Sequence, residues 1–296
     1  MLNKLFEKQI QQTISNAINE NLSIISLNPV SGGDINQAYC LESKSKKYFL
    51  KINHEKYYAM FCTEAEALQI IATTDSIRVP KVICMGKFSQ QSFLVLEFIE
   101  LNSHGDLALF ARQLAKLHLN INAKFGFEND NFIGTTPQKN AWTNNWIEFF
   151  NRERISFQLE CLKRKNLNRK IVKKIERLLK QLPAFFSGYL PVPALLHGDL
   201  WQGNYAFDTF GNPVIYDPAS YYGDHETDLA MLELFGHPGA DFFQQYAQIF
   251  PVDRGYFHRK PLYNLYHIMN HANLFGGSYL QQLDDRVNEL LKFTGN

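Results

Sequence analysis

A change of hydrophobic period near residue 100 divides this 296-residue chain into two parts of different architecture. The first 20 residues read as an amphipathic helix with apolar positions Leu5, Phe6, Ile10, Ile14 and Ile18. Short β-type runs follow: LSIISLNPV, QAYCLES and KYFLKIN, separated by turn-prone SGGDIN and polar SKSK. Then comes a helical stretch, FCTEAEALQIIATT, with Phe61, Ala65, Leu68 and Ile71 on one stripe, and two more strands, PKVICMGKF and SFLVLEFI. Strands so closely connected leave no room for parallel crossovers, so the sheet is expected to be mostly antiparallel. Beyond Leu101 the helical period dominates, interrupted by the strand–loop–strand stretch ALLHGDLWQGNYAFDTFGNPVIYDPA. The expectation is an α+β, bilobal chain. Residues 1–99 form a small antiparallel β-sheet lobe with one helix, residues 100–296 a larger mainly helical lobe, and the hinge lies near Glu97–Asn102.

Composition narrows the partners. Thirty Lys and Arg against 29 Asp and Glu give a formal charge of +1, which argues against nucleic acid or a membrane as a partner recruited by the field of the whole protein. The balance is a cancellation: nine basic residues fall between Lys163 and Lys180, with only Glu160 and Glu176 as acidic neighbours. Such a run reads as a solvated helix face, with docking of an anionic partner as the alternative. Cys40, Cys62, Cys84 and Cys161 are scattered without a CxxC, as expected of free thiols in a reducing compartment. The amino terminus has no signal-peptide core and no apolar run reaches membrane-spanning length, so a cytoplasmic location is expected.

The most informative stretch is His197-Gly198-Asp199-Leu200-Trp201-Gln202-Gly203-Asn204, followed 13 residues on by Asp217. Protein kinases carry H-R-D-L-x-x-x-N and a later D-F-G, and here Asp and Asn keep the same five-residue offset. Phosphoryl transfer explains those residue types. One carboxylate accepts or orients the attacking hydroxyl, while a second carboxylate and an amide oxygen hold Mg²⁺ against the phosphates of ATP. Asp199 is therefore the expected base, and Asn204 and Asp217 the metal ligands. Taken singly, Asp, Gly and Asn are ordinary turn residues; at this joint spacing they are a site.

A nucleotide kinase also needs a cation on the phosphates. Lys51 lies on the third strand with Glu64 in the next helix as its expected partner, and Glu66 as a replacement on another helix face. The SGGDIN turn, through Gly32 and Gly33, would cover the phosphates with backbone amides, though it is not a GxGxxG and reads equally as a hairpin turn. No Walker-type loop is present. Glu97 and Ile99 would offer backbone groups to adenine.

These residues together resemble the fructosamine kinases (ketosamine-3-kinases), a branch of the small-molecule kinases with a protein-kinase-like fold that also includes aminoglycoside and choline kinases. The resemblance spans nearly the whole chain: SGGDIN, KYFLKIN, VPKVICMG with FLVLEFI, QLAKLH, WIEFFNRERISFQL, PALLHGDLWQGN, PVIYDPASYYGDHETDLAMLELFG and LYHIMNHANLFGG. HGDLWxGN joined to YDPAxYYG is particular to this family. It implies phosphorylation, by ATP with Mg²⁺, of a sugar hydroxyl on ketosamines, small or protein-bound, after which the adduct decomposes and frees the amine. Asp34 departs from the pattern, because many members carry Cys in the glycine-rich turn; redox control through that Cys is then absent.

Spacing adds to this picture. The 148 residues from Lys51 to Asp199 leave room for two extra helices, Trp142–Leu162 and Asn168–Leu182. Only 11 residues separate Asp217 from Asp228, too few for a long phosphorylated activation loop. Glu226 and Asp228 open an apolar helix, where acids suit the dipole; the resemblance gives Asp228, with His197, a place behind the catalytic loop, bracing its backbone. Trp201 is a candidate wall for the sugar, against a core packing role. Tyr222, His225 and the His267/Asn270/His271/Asn273 group are further substrate candidates. His267 and His271 at i, i+4 could bind a metal, but without a third ligand a helix-packing pair is the simpler reading. The rivals are an aminoglycoside- or choline-type kinase, disfavoured because Gly255–Gln282 holds no acid for a polycation, and a non-catalytic nucleotide-binding module. A monomer is expected.

Overall fold

The protein is described here by a computed structural model covering residues 3–30 and 35–295. It divides into two compact units, one comprising the residues up to Asp106 together with Ala206–Pro218, the other Leu107–Tyr205 with Ala219–Asn296.

In the first unit, α1 (Lys4–Ile18) starts where the Asn3 side chain accepts the Leu5 N–H at 2.9 Å and stops at Asn19, whose left-handed backbone breaks the helix. Phe6, Ile10 and Ile14 recur at i+4 and are fully buried. Leu5, out of that phase, is 64% exposed, so it does not belong to the stripe assigned to it from sequence. The strands are β1 (Ile24–Pro29), β2 (Gln37–Ser43), β3 (Lys47–His54), β4 (Val82–Phe88) and β5 (Gln91–Glu97), with α2 (Tyr58–Thr73) between the third and fourth. They pair antiparallel throughout in the order β1-β2-β3-β5-β4. The apolar stripe of α1 packs on Leu41, Tyr48, Leu50, Ile52, Phe93 and Val95. Each such large side chain contributes about 1.5–3 kcal/mol on burial. Phe61, Ala65, Leu68 and Ile71 of α2 are buried as the spacing predicts.

The hairpin of β9 (Tyr205–Phe207) and β10 (Pro213–Ile215) joins this unit for a specific reason. Asn102 and Phe207 exchange both backbone hydrogen bonds, at 2.7 and 2.9 Å, and the Ile215 N–H donates to the Arg78 carbonyl at 3.0 Å. The compact unit is thus assembled from two chain segments, where the sequence suggested one run ending at residue 99.

The second unit contains α3 (Leu107–His118), the short hairpin β6 (Asn131–Ile133) and β7 (Thr136–Gln138), α4 (Trp146–Phe149), α5 (Phe157–Arg164) and α6 (Arg169–Leu179). Then come β8 (Ala194–Leu195) paired with β11 (Tyr222–Gly223), α7 (Glu226–Leu232), α8 (Ala240–Ala247), α9 (Tyr256–Phe275) and α10 (Ser278–Phe293). The helix expected over Trp142–Leu162 begins later, at Asn145, whose side chain caps it. It is π-wound across Phe150–Ser156, which turns Glu153, Arg154 and Ile155 inward. Helix α6 buries Ile171, Ile175 and Leu178 and exposes its cations. Of the basic run, Lys163 pairs with Glu160 and Glu176, and Lys174 with Asp284. Among the described residues no helix is long and apolar enough to cross a membrane.

Candidate active site

In the first unit the expected cation and its acids come together. Lys51 sits on the central strand β3, opposite Leu94 on β5 and Ala38 on β2. That register turns its ammonium toward α2, where Nζ donates to Glu64 Oε1 at 2.6 Å, and it reaches Asp217 Oδ1 at 2.5 Å. Glu64, rather than Glu66, is the helix partner of Lys51. Burial works against the Lys51 ammonium, but the charges of Asp217 and Glu64 overcome it and hold its pKa above the ordinary lysine range. Burial lifts the Glu64 carboxyl; Lys51 pulls it down, and Asp217 adds to the lift, leaving it raised. Two acids share one ammonium. Asp217 has a left-handed backbone, φ 57°, an uncommon conformation for a residue with a side chain, and its carboxylate remains partly open to solvent.

Glu97, at the end of β5, holds Arg78 at 2.9 Å and accepts the Lys81 N–H at 3.2 Å. Arg78 also grips Asp208 of the β9–β10 hairpin at 2.8 Å. Ile99 lies two residues beyond the strand. Gly32, Gly33 and Asp34 of the glycine-rich turn lie outside the described residues.

In the second unit the loop from His197 to Asn204 is held from behind. Asp228 accepts the His197 N–H on Oδ2 at 2.7 Å and the Gly198 N–H on Oδ1 at 2.9 Å, and His118 Nε2 lies 3.2 Å from Oδ2. His118 in turn meets the Tyr246 hydroxyl at 2.6 Å. Burial would raise the Asp228 carboxyl, yet His118, His197 and the Gly198 amide hold it below the ordinary value. Two amides of the loop thus end on the Asp228 carboxylate, the geometry that the bracing role expected from the resemblance would have. Glu226, in the same helix, spends its carboxylate on Arg259 at 2.7 and 2.9 Å. Gly198 has φ 86°, and a Cβ there would collide with the Ala219 carbonyl oxygen, so glycine is required at this turn. The Asp199 N–H donates to His197 Nδ1 at 3.3 Å, which ties residue 199 to the buried ring behind it.

Asn204 donates its amide N–H to the Asp199 carbonyl at 2.8 Å and to Asp199 Oδ2 at 3.1 Å. Its nitrogen is engaged, which leaves the amide oxygen as the end available to a cation. That amide oxygen, in the second unit, and separately the Asp217 carboxylate, in the first, are each a hard donor of the kind Mg²⁺ takes. Among the described residues no group of three or more His, Cys, Asp or Glu side chains is placed to hold a metal by itself.

His267 Nδ1 stands 3.8 Å from Asp199 Oδ1. Burial first, then the neighbouring His271, pushes the His267 pKa down to about 3, so a neutral ring faces the Asp199 carboxylate at neutral pH. Trp201 is partly exposed, edge-on to Phe235 at 5.8 Å. His271 contacts Phe235, and Tyr222 packs with Phe127 and Trp142. His225 does not fit the substrate-facing role expected of it. It is 3% exposed, stacked on Phe250 at 4.1 Å with Nδ1 at the Tyr246 hydroxyl, because α7 turns it into the helical core.

The sequence reading passed over a polar support under residue 219. Gln138 donates to the Ala219 carbonyl at 3.0 Å and to Asn131 at 2.8 Å, and accepts from Tyr266 at 2.7 Å. Arg154, fully buried, lies 3.9 Å from the Tyr221 ring centre and donates to Asn140 at 2.8 Å. The polar run NFIGTTPQKN between apolar helices was the available signal.

A family model described as Fructosamine kinase matches residues 6–293. A protein from Synechocystis sp. strain PCC 6803 named probable ketoamine kinase is 45% identical over 290 residues, 96% of each chain. The chloroplastic protein-ribulosamine 3-kinase of Oryza sativa subsp. japonica is 39% identical over 273 residues, 91% of this chain and 80% of that one. A crystal structure from Haemophilus somnus 129PT, whose name of fructosamine-3-kinase is itself provisional, superposes with a TM-score of 0.89 at 30% identity, covering 98% of this chain and 100% of that one. The ADP-bound aminoglycoside phosphotransferase APH(2'')-Ib gives 0.64 at 15% identity over 98% and 97%, a likeness of fold.

Proposed function

The chain belongs to the fructosamine kinase family, and from that premise we propose that it transfers the γ-phosphoryl group of ATP to a sugar hydroxyl of ketosamines. The acceptor is a fructosamine or ribulosamine, free or on a glycated protein. The product decomposes and releases the amine, so the reaction repairs glycation in a reducing, cytoplasmic setting, by a chain that acts as a monomer.

Asp199 accepts the proton of the attacking hydroxyl. Asn204 fixes its carboxylate, and Asp228 and His197 fix the loop behind it. Lys51, oriented by Glu64, holds the nucleotide phosphates. The backbone at Gly32 and Gly33 covers those phosphates, and the backbone at Glu97 and Ile99 receives adenine. Asn204 and Asp217 would hold Mg²⁺, which would supply neutralising charge to the phosphates. Trp201, Tyr222 and His271 face the substrate.

The observation that carries this reading is the Asp199 carboxylate. It accepts the Asn204 side-chain N–H at 3.1 Å and stands 3.8 Å from His267 Nδ1, at the kinase-like offset from Asn204 that a base for the attacking hydroxyl requires. An ATP-consumption assay against fructosamine, ribulosamine and aminoglycoside substrates, beside Asp199→Ala, tests it. Turnover on a ketosamine is expected, falling about 10²- to 10⁴-fold in the variant. Absence of turnover on every ketosamine would refute the substrate. Undiminished turnover in the variant would refute the base, and turnover confined to aminoglycosides would favour the rival kinase.

A further inference from the structure

The rings beyond Asp199 form a continuous arc that the reaction itself does not require. His267, 3.8 Å from the base, lies one helical turn before His271 on α9 and two turns before Phe275. Phe235 joins Trp201 at 5.8 Å to His271 at 5.7 Å. Beyond them, Phe275 lies 5.9 Å and Tyr279 5.0 Å from His271. Trp201, Phe235 and Phe275 are 38%, 43% and 57% exposed, an unusual outlay of aromatic surface beside a polar loop. Buried within the arc, His271 Nδ1 has no hydrogen-bond partner, and burial keeps the ring neutral. Gly255–Gln282, which supplies the α9 and α10 side of the arc, contains no Asp or Glu.

We propose that Phe235, His271, Phe275 and Tyr279 extend the Trp201 wall into a subsite for the amine-derived part of the substrate, which selects adducts of amines bearing a ring or an apolar stem. The inference rests on the ketosamine reading. In such a substrate a 3-hydroxyl and the amine nitrogen are four bonds apart, on the order of 5 Å. Along α9, His271 lies about 6 Å and Phe275 about 12 Å beyond His267. A sugar with its reacting hydroxyl at Asp199 therefore places its nitrogen near His271 and its substituent among Phe235, Phe275 and Tyr279. Ring faces accept an apolar substituent and favour the single ammonium of the adduct. Without an acid on α9 or the start of α10, nothing there rewards further positive charge.

Two probes test the proposal, the fructose adducts of benzylamine and of methylamine, whose sugar and ammonium are the same. The wild type should show the higher kcat/KM on the benzylamine adduct. Phe235→Ala and Phe275→Ala should each lower that ratio about three- to tenfold, the scale of one aromatic contact. Phe275→Tyr should retain it. Both phenylalanines are substantially exposed, so the alanine variants should fold. Equal kcat/KM on the two adducts, or a ratio unchanged in both alanine variants, overturns the subsite while leaving the ketosamine reading intact. Turnover of neither adduct by the wild type overturns the ketosamine reading and the subsite with it.

Discussion

Each unit buries an acid at the heart of its polar cluster, and the two acids are held in opposite ways. Glu64 meets an ammonium that Asp217 also claims, and its carboxyl is raised. Asp228 is buried more completely, but fixed N–H groups of His197 and Gly198, with the His118 ring, surround it, and its carboxyl is lowered. Burial alone therefore does not decide the direction. The number of donors and the competition for them do. An acid that owns its donors is a permanent strut. One that shares a cation belongs to a set that can exchange partners, which suits the phosphate- and metal-binding roles proposed for Lys51 and Asp217.

Asp228→Ala should give the largest effect. Removing the carboxylate strands two buried amide donors and a histidine, and should cost about 3–5 kcal/mol in urea denaturation. Asp228→Asn should cost less, and its pH dependence is diagnostic. With a folded-state pKa below the ordinary 3.8, the Asp228 contribution is complete above that value and is lost as pH falls through the folded-state value. The stability gap between wild type and Asp228→Asn should be flat above about pH 5 and shrink below about pH 4. A gap that widens on acidification breaks the comparison.

The loop and its brace were legible because their chemistry fixes spacing: Asp199, Asn204 and Asp217 stand at offsets that few other folds require. Lys51 with Glu64 was legible for the same reason, a strand cation before a helix acid. What stayed hidden depended on long-range pairing. The insertion of β5 between β3 and β4 is set by contacts across the sheet, which no local pattern records. The return of the β9–β10 hairpin to the first unit depends on Asn102 and Arg78, over a hundred residues earlier. His225 looked like a site residue because it sits beside catalytic motifs; only the packing of Tyr246 and Phe250 shows it buried. His267 looked like half of a packing pair until the turn of α9 brought it to Asp199.

Lys51→Met tests the exchanging cluster. It leaves Glu64 and Asp217 facing each other without their cation, yet Asp217 is 42% exposed and Glu64 can take up a proton. The expected loss is about 1–3 kcal/mol, smaller than for Asp228→Ala. A raised acid favours its protonated form in the fold, so stability falls as pH rises through its folded-state value. The deficit of Lys51→Met should accordingly go on growing up to neutral pH, across the range in which the Asp228→Asn gap is already flat, and its kcat/KM for ATP should fall at least about 100-fold.

Glu64→Gln should be the mildest. The amide still offers Lys51 an oxygen, and one of two competing acids has lost its charge, so stability should move by less than about 1 kcal/mol. The consequence should appear in function instead. With its rival neutralised, Lys51 binds Asp217 more exclusively, and Mg²⁺ must compete harder for that carboxylate. Half-saturating Mg²⁺ should rise, by less than about tenfold, in titrations of ATP turnover. Unchanged Mg²⁺ dependence together with a stability loss matching that of Asp228→Asn would mean that Glu64 is a strut as well, and that sharing a cation does not make an acid exchangeable.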